Sequence, residues 1–253
     1  MNIKGFDENN MQELRIQKYL SETGVMSRRA AESAVIAGRV VINGEKASIG
    51  QKIIPEIDEI LVDGVIVSQK PKKYIYLAMY KPAGVVTTMS DEQGRLCVGD
   101  LLRDQEIFND FGRVYPVGRL DMYSEGLLIL TNDGETANKL MHPRHEISKI
   151  YHATIKGEPK RTLIKSLETP IEIDGKMTTA ANVDIIEQKN GKTKLKIEIF
   201  EGRNRQIRRL CENLNLPILK LKRVGIGKLN IGNLSPGGLR HLSSSEIKYL
   251  RSI

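Results

Sequence analysis

The chain has 253 residues, enough for one or two domains, and its 40% apolar and 28% charged content is that of an ordinary soluble protein, not a disordered one. It holds no apolar run of membrane-spanning length, and its polar, acidic start (Asp7, Glu8) lacks the basic-then-apolar order of a secretory signal, so neither a membrane span nor export is expected. A net charge of +8 and a pI near 9.4 favour a polyanionic partner.

Charge distribution says more than the total. From Arg203 to Lys228 there are eight basic residues and one acid, Glu212, the footprint of a phosphate-binding face. With four Phe, eight Tyr and no Trp, a single-strand binder built on many stacking platforms is disfavoured. Cys97 and Cys211 lie too far apart in sequence for a disulfide framework and read as buried thiols in a reducing cytoplasm.

Residues 1–10 read as a flexible leader. From Met11 the pattern turns helical, with Leu14, Tyr19 and Leu20 on one face and Gly24 placed to end it. Ser27 then caps a helix over 28–37, stopped by Gly38. Arg28 and Arg29 in its first turn oppose the helix dipole at about 0.3–1 kcal/mol each, a sign that a bound anion would reverse. A strand over 39–42 runs into Asn43-Gly44, a strong hairpin signal, and short strands near Ile53 and over 60–62 lead to a second turn at Asp63-Gly64. The proline and lysines of 69–73 mark a linker between a first domain over 11–68 and a second over 74–253.

The second domain opens with a strand over 74–80, a turn at Lys81-Pro82-Ala83-Gly84 and an extended segment over 85–88. A loop through Gly94-Arg95 enters a short helix at Asp100–Leu102. Strands over 114–117 and 127–130 bracket the loop Gly118–Gly126, in which Arg119 and Asp121 stand two residues apart. In an extended segment such residues point the same way, so both charged heads can face one cavity. Asn132-Asp133-Gly134 turns the chain into a helix over 135–141, ended by His142-Pro143. Strands follow over 149–155, 171–173, 181–186 and 194–200, then a helix near 204–214, strands over 219–221 and 229–231, and a helix from Ser244. A mostly antiparallel sheet with scattered helices is an α+β architecture.

The chemistry narrows by exclusion. His142, His145, His152 and His241 with two distant cysteines make no metal-ligand set. Gly225-Ile226-Gly227 is too short for a dinucleotide loop, and Ser124 lacks a nucleophile elbow. A carboxylate, a tyrosine and arginines remain, while Asp91, Asp100 and Asp133 are explained by turn and cap duty.

Those residues carry a resemblance. Gly118-Arg119-Leu120-Asp121 with Ser124-Glu125-Gly126-Leu127-Leu128, then Thr131-Asn132-Asp133-Gly134, resembles the catalytic motif of the RsuA/RluB family of ribosomal-RNA pseudouridine synthases. Lys149-Ile150-Tyr151 is similar to its Lys-x-Tyr element and Glu201–Arg209 to its arginine-rich motif. Lys81-Pro82-x-Gly84-Val85-Val86-Thr87-Thr88 is similar to the family's first motif. Ser27-Arg28-Arg29 and Gly38-Arg39-Val40, on two helices followed by small strands, resemble the S4 RNA-binding module. The likeness covers about residues 11–245 in the expected order.

The resemblance implies an S4 module followed by a pseudouridine synthase catalytic domain with a mostly antiparallel mixed sheet. Such an enzyme isomerises uridine to pseudouridine in ribosomal RNA without cofactor or metal. Asp121 would be the nucleophile, by attack on C1′ or C6 or through an eliminated glycal. Tyr151 would stack on the flipped base, and Arg208 would keep Asp121 charged inside a desolvating pocket. Arg119 would hold the vacated space. Arg28, Arg29 and Arg39 would face RNA, and Arg203, Arg205 and Arg209 would contact phosphates. The expected partner is ribosomal RNA or a subunit-assembly intermediate, met by a monomer in the cytoplasm. Large-subunit (23S) RNA is preferred over small-subunit (16S) RNA on overall likeness. A transfer-RNA enzyme and a non-catalytic assembly factor of the same fold are the alternatives.

Overall fold

The computed structural model describes residues 12–67, 74–103 and 113–253, so the expected leader and linker lie outside the described residues. The chain divides into two compact units at Lys73/Tyr74, each with its own core.

In the first unit, β1 (Leu14–Arg15) leads into α1 (Ile16–Glu22) and α2 (Arg28–Ile36). Ser27 caps α2, its hydroxyl accepting from the Ala30 amide at 3.1 Å. Small strands follow: β2 (Val40–Ile42), β3 (Glu45–Lys46), β4 (Lys52–Ile53), β5 (Ile60–Val62) and β6 (Val65–Ile66). Asn43-Gly44 joins β2 to β3 with both φ values positive, 52° and 84°, which is why the Asn-Gly pair reads so clearly as a hairpin. Ile16, Leu20, Ala31, Ala34, Val40, Ile53 and Ile60 form the buried core. The helix expected from Met11 begins later, because Leu14 and Arg15 pair antiparallel with Ile53 and Lys52. The Ile16 amide then donates to the Gln51 carbonyl at 2.9 Å, fixing the helix start. An apolar residue at position 14 suits either structure; backbone pairing decides.

The second unit is built on β7 (Tyr76–Lys81), α3 (Val98–Arg103), β8 (Tyr115–Val117), β9 (Glu125–Thr131), α4 (Gly134–Met141) and β10 (Lys149–Lys156). It continues with α5 (Arg161–Lys165), β11 (Glu172–Ile173), β12 (Lys176–Met177), β13 (Asn182–Lys189), β14 (Lys192–Ile199) and α6 (Gln206–Asn213). β15 (Ile218–Ile226), β16 (Leu229–Asn230), β17 (Leu239–His241) and α7 (Ser244–Arg251) complete it. The main sheet has the order β13-β14-β10-β15-β9-β7-β17, with β16 beside β15 and β8 beside β9. The expected α+β class holds.

One joint in that sheet matters most. Every pairing in it is antiparallel except β15 with β9, a short parallel seam that matches Lys222 to Glu125 and Arg223 to Gly126. It joins one half of the sheet (β17, β7, β9) to the other (β15, β10, β14, β13). Gly126 makes the approach possible. Its φ is +109°, and a Cβ there would lie 2.2 Å from the Arg223 carbonyl oxygen.

Two further differences from the sequence reading bear on the site. Residues 85–88 form no strand; Val86 makes a single parallel bridge with Cys97, and Thr87 turns inward to the loop before β9. β15 is much longer than its expected core of 219–221, which is what lets it reach across to β9.

Candidate active site

A cleft of ≈ 1350 Å³ opens at the seam, lined from both halves of the sheet. The β7–β9 half supplies the loop before β9, containing Arg119, Leu120 and Asp121; the β15–β10 half and α6 packed on it supply Tyr151, Arg208 and Arg223. Asp121 stands where it does because its neighbours are pinned. The Thr87 hydroxyl donates to the Leu120 carbonyl at 2.7 Å and accepts from the Leu120 amide at 3.2 Å. The Gly84 amide donates to the Met122 carbonyl at 2.8 Å, and the Ser124 amide turns back onto the Asp121 carbonyl at 3.0 Å.

Beneath this loop lies Lys81, fully buried at the end of β7. Its ammonium donates to the carbonyls of Pro82 (2.7 Å), Val85 (2.8 Å) and Met122 (3.3 Å), tying the first-motif turn to the Asp121 loop. Burial pushes its pKa down to about 8; the charge of Asp121 resists that shift and Arg223 adds to it.

Arg208, on the first turn of α6, reaches Asp121 from the other half. Its Nε lies 3.7 Å from Asp121 Oδ2, ion-pair distance but too long for a hydrogen bond. Nη2 donates to the Tyr123 carbonyl (3.0 Å) and the Ser124 hydroxyl (3.3 Å), so the guanidinium is fixed beside the loop. The buried Nε has no hydrogen-bond partner among the described residues, and Asp121 is half-exposed to the cleft. The carboxylate is therefore charge-compensated yet still free to act.

The cleft floor is cationic. Tyr151 and Arg223 face each other across β10 and β15, and Arg223 is only 5% exposed. Its Nε donates to the Leu127 carbonyl at 2.7 Å, while its buried Nη2 has no hydrogen-bond partner among the described residues. Lys149 lies close by, its pKa lowered by burial and then by Arg223, against the opposing charge of Glu201.

The structure gathers Arg119, Asp121, Tyr151, Arg203, Arg205 and Arg208 around this one cleft. Arg119 is exposed there and makes no ion pair with any described residue. Arg203, expected to contact phosphate, lines the cleft and is also engaged within the protein. Its guanidinium donates to Glu201 (2.8 Å) and to the carbonyls of Lys176 (2.9 Å) and Met177 (2.6 Å), so it clamps the β11–β12 hairpin to the sheet. Arg205 pairs with Glu212 at 3.3 Å and Arg209 with Asp174 at 2.9 Å, both at the rim. In the first unit Arg28 and Arg29 are exposed at the start of α2, and Arg39 is engaged by both carboxylate oxygens of Asp63.

Asp133 caps α4, accepting from the Glu135 and Thr136 amides at 3.1 Å each, and Asp91 is bound to Arg95 at 2.7 Å. Asp100 accepts from the Cys97 amide at 2.8 Å at the start of α3. These three carboxylates thus have structural work away from Asp121. Both cysteines are buried, and burial pushes the Cys211 thiol up to about 12, far from a reactive thiolate. Among the described residues no group of three or more His, Cys, Asp and Glu could hold a metal, and no helix is long and apolar enough to cross a membrane.

Comparison with known proteins decides the family. The RNA pseudouridylate synthase family model matches residues 75–213, the unit that holds the cleft. The chain belongs to that family. It is a pseudouridine synthase, an isomerase. The S4 domain model matches residues 14–60, adding an RNA-binding module. Among its relatives is an uncharacterized RNA pseudouridine synthase of Mycobacterium leprae, 42% identical over 94% of this chain and 92% of its own. The ribosomal large subunit pseudouridine synthase B of Bacillus subtilis is 39% identical over 94% of this chain and 96% of its own. A crystal structure of a pseudouridylate synthase superposes with a TM-score of 0.65 at 26% identity, covering 94% of this chain and 99% of that one.

Proposed function

We propose that this pseudouridine synthase isomerises a uridine of ribosomal RNA, in the large subunit (23S), with Asp121 as the nucleophile. The observation that carries the reading is the Asp121–Arg208 pair, 3.7 Å apart, bridging the two halves of the sheet inside a cleft able to admit a nucleoside. The similarity to the Bacillus subtilis large-subunit enzyme over nearly the full length of both chains supports the RNA class.

The residues suit the steps. A uridine stacked within RNA is first flipped out, at a few kcal/mol for unstacking. Tyr151 offers a ring in the cleft floor for the uracil to stack on, worth roughly 1–3 kcal/mol. Arg119, exposed at the mouth and free of any described ion pair, is placed to hold the space the base leaves. The glycosidic C1′–N1 bond breaks, the base turns, C5 bonds to C1′, and the C5 proton is lost while N1 gains one. Asp121 drives this as a carboxylate, which Arg208 keeps charged where water is excluded. Residues 11–68 dock the RNA and residues 74–253 do the chemistry, in the cytoplasm and as a monomer.

The test is tritium release from ribosomal RNA carrying 5-tritiated uridine. Wild type should release label from large-subunit RNA in preference to small-subunit or transfer RNA. Asp121→Ala should lose at least about 10³-fold in rate, the scale on which removing a covalent catalyst acts, while still binding the RNA. Equal release by both proteins sinks the mechanism. Preferential release from another RNA sinks the target.

A further inference from the structure

The sheet half made by β10, β14 and β15 has two faces, and only one carries the cleft. Strand alternation sends Tyr151 and Arg223 to the cleft side and His152, Lys196 and Lys222 to the other. On that far side lies a second cavity of ≈ 430 Å³, whose charged and polar lining is His152, Lys196, Lys222, Lys228 and Asn230. Among the described residues no carboxylate lines it.

The cations are arranged, not merely crowded. Lys222 Nζ sits 4.5 Å from the centre of the Tyr80 ring, and Lys228 Nζ 5.4 Å from that of Tyr249. An aromatic face holds an ammonium in place without neutralising it. His152 is paired in register with Lys196 on one side and Lys222 on the other. Its pKa is lowered by burial and then by Lys194, Lys222 and Lys196. Three acids come near. Glu125, opposite Lys222 in the parallel seam, is engaged by Tyr80 and by Lys220 at 3.0 Å, and the Lys222 charge also acts on it. Asp184 faces Lys196 across β13 and β14. Glu198, two residues beyond Lys196 and opposite Ile150, accepts from Asn182 at 3.3 Å. None makes an ion pair with the pocket lysines among the described residues.

We propose that this pocket binds the phosphodiester backbone of the substrate RNA at a point distant from the target uridine, so that RNA is held on both faces of the sheet. Clustered ammonium groups repel one another and condense anions, and a polyanion gains by replacing them. Lysines grip phosphate as point charges, whereas an acidic peptide favours the flat fork of arginine, absent from this pocket. The proposal rests on the reading above only in taking ribosomal RNA as the substrate; it makes no use of Asp121.

The test compares wild type with Lys196→Gln/Lys222→Gln in filter binding to an in-vitro transcript of large-subunit RNA across a salt series. The slope of log affinity against log salt should fall by about two, one for each lysine–phosphate pair removed. Lys160→Gln/Lys248→Gln, which removes two exposed lysines outside the pocket, should change it by less than half as much. Lys228→Gln alone should lower it by about one, and unchanged melting curves show that each variant is folded. In ring-nitrogen NMR the same transcript should raise the pKa of His152 in wild type and not in the double variant. An unchanged slope, or an equal fall in the control pair, overturns the proposal. So does normal RNA binding by the double variant coupled with loss of an acidic protein partner. Wild type that binds but releases no tritium would sink the catalytic reading alone, since the slope is measured without turnover.

Discussion

Asp121 is held by what surrounds it. Its two neighbours are fixed by Thr87 and Gly84, its charge is answered by Arg208, and the turn beneath it is tied by a buried lysine. Lys81 carries a testable signature. The unfolded chain keeps the Lys81 proton up to its ordinary value of 10.5, whereas the folded chain releases it near 8. Between those values the unfolded state binds more protons, so the Lys81 contribution to stability rises with pH through that window. Chemical denaturation of wild type and Lys81→Met at pH 8 and pH 10 should show wild type gaining about 2 kcal/mol relative to the variant; parallel curves would refute the assignment. The sequence makes Asp121, Tyr151 and Arg208 visible because each sits in a motif of distinctive spacing. It shows Lys81 only as part of a turn motif and Arg223 only within a basic run, and hides the burial of both, because a lysine or arginine reads as surface until the packing is known. The internal engagement of Arg203 is hidden for a related reason: its acceptors include backbone carbonyls of the β11–β12 hairpin, and no side-chain pattern announces those.

Among the elements, the seam between β9 and β15 carries the site, and Gly126 carries the seam. Gly126→Ala would put a methyl group 2.2 Å from the Arg223 carbonyl oxygen at a φ of +109°, with rigid backbone on both sides. The expected cost is at least about 3 kcal/mol, the range of severe overpacking combined with backbone strain. Urea unfolding should show it as a lower midpoint, with tritium release falling as the two halves separate; a midpoint within experimental error of wild type would mean the seam yields. The hairpins are legible in the sequence because Asn43-Gly44 and Asp63-Gly64 need positive φ at both positions, a demand written in two letters. The parallel seam is not legible there. It pairs only two residues from each strand, and nothing in a nine-residue run such as β15 tells which part of it crosses to a distant partner.

At the scale of the whole molecule, the first unit has one apolar core and the second has its own three clusters, and damage to the first core should stay there. Leu20 is fully buried in the first. Leu20→Ala should cost about 2–5 kcal/mol in that core. Hydrogen exchange followed by mass spectrometry should show lost protection within residues 12–67 and unchanged protection of β7, β9 and β10; spread of the loss into those strands would show that the units are energetically one. The order of helices and small strands in the first unit, and the alternation of β10 and β14, are plain from apolar spacing. The sequence order of the second unit is not its spatial order, since β15 inserts between β10 and β9.

That insertion fixes when the enzyme comes into being. The hydrogen bond from Arg223 to Leu127 spans 96 residues of chain. As synthesis proceeds from the N-terminus, β7, β8 and β9 can pair among themselves and finish the Asp121 loop early. Tyr151 and Arg208 follow, yet no cleft exists until β15 has been made. Until then only the short stretch of β9 that β15 pairs, Glu125–Gly126, lacks its neighbour, since β8 already covers Ile129–Thr131. A chain cut short before residue 218 would therefore own its nucleophile and lack the groove around it: the carboxylate would stand ready with nothing to seat a base beside it.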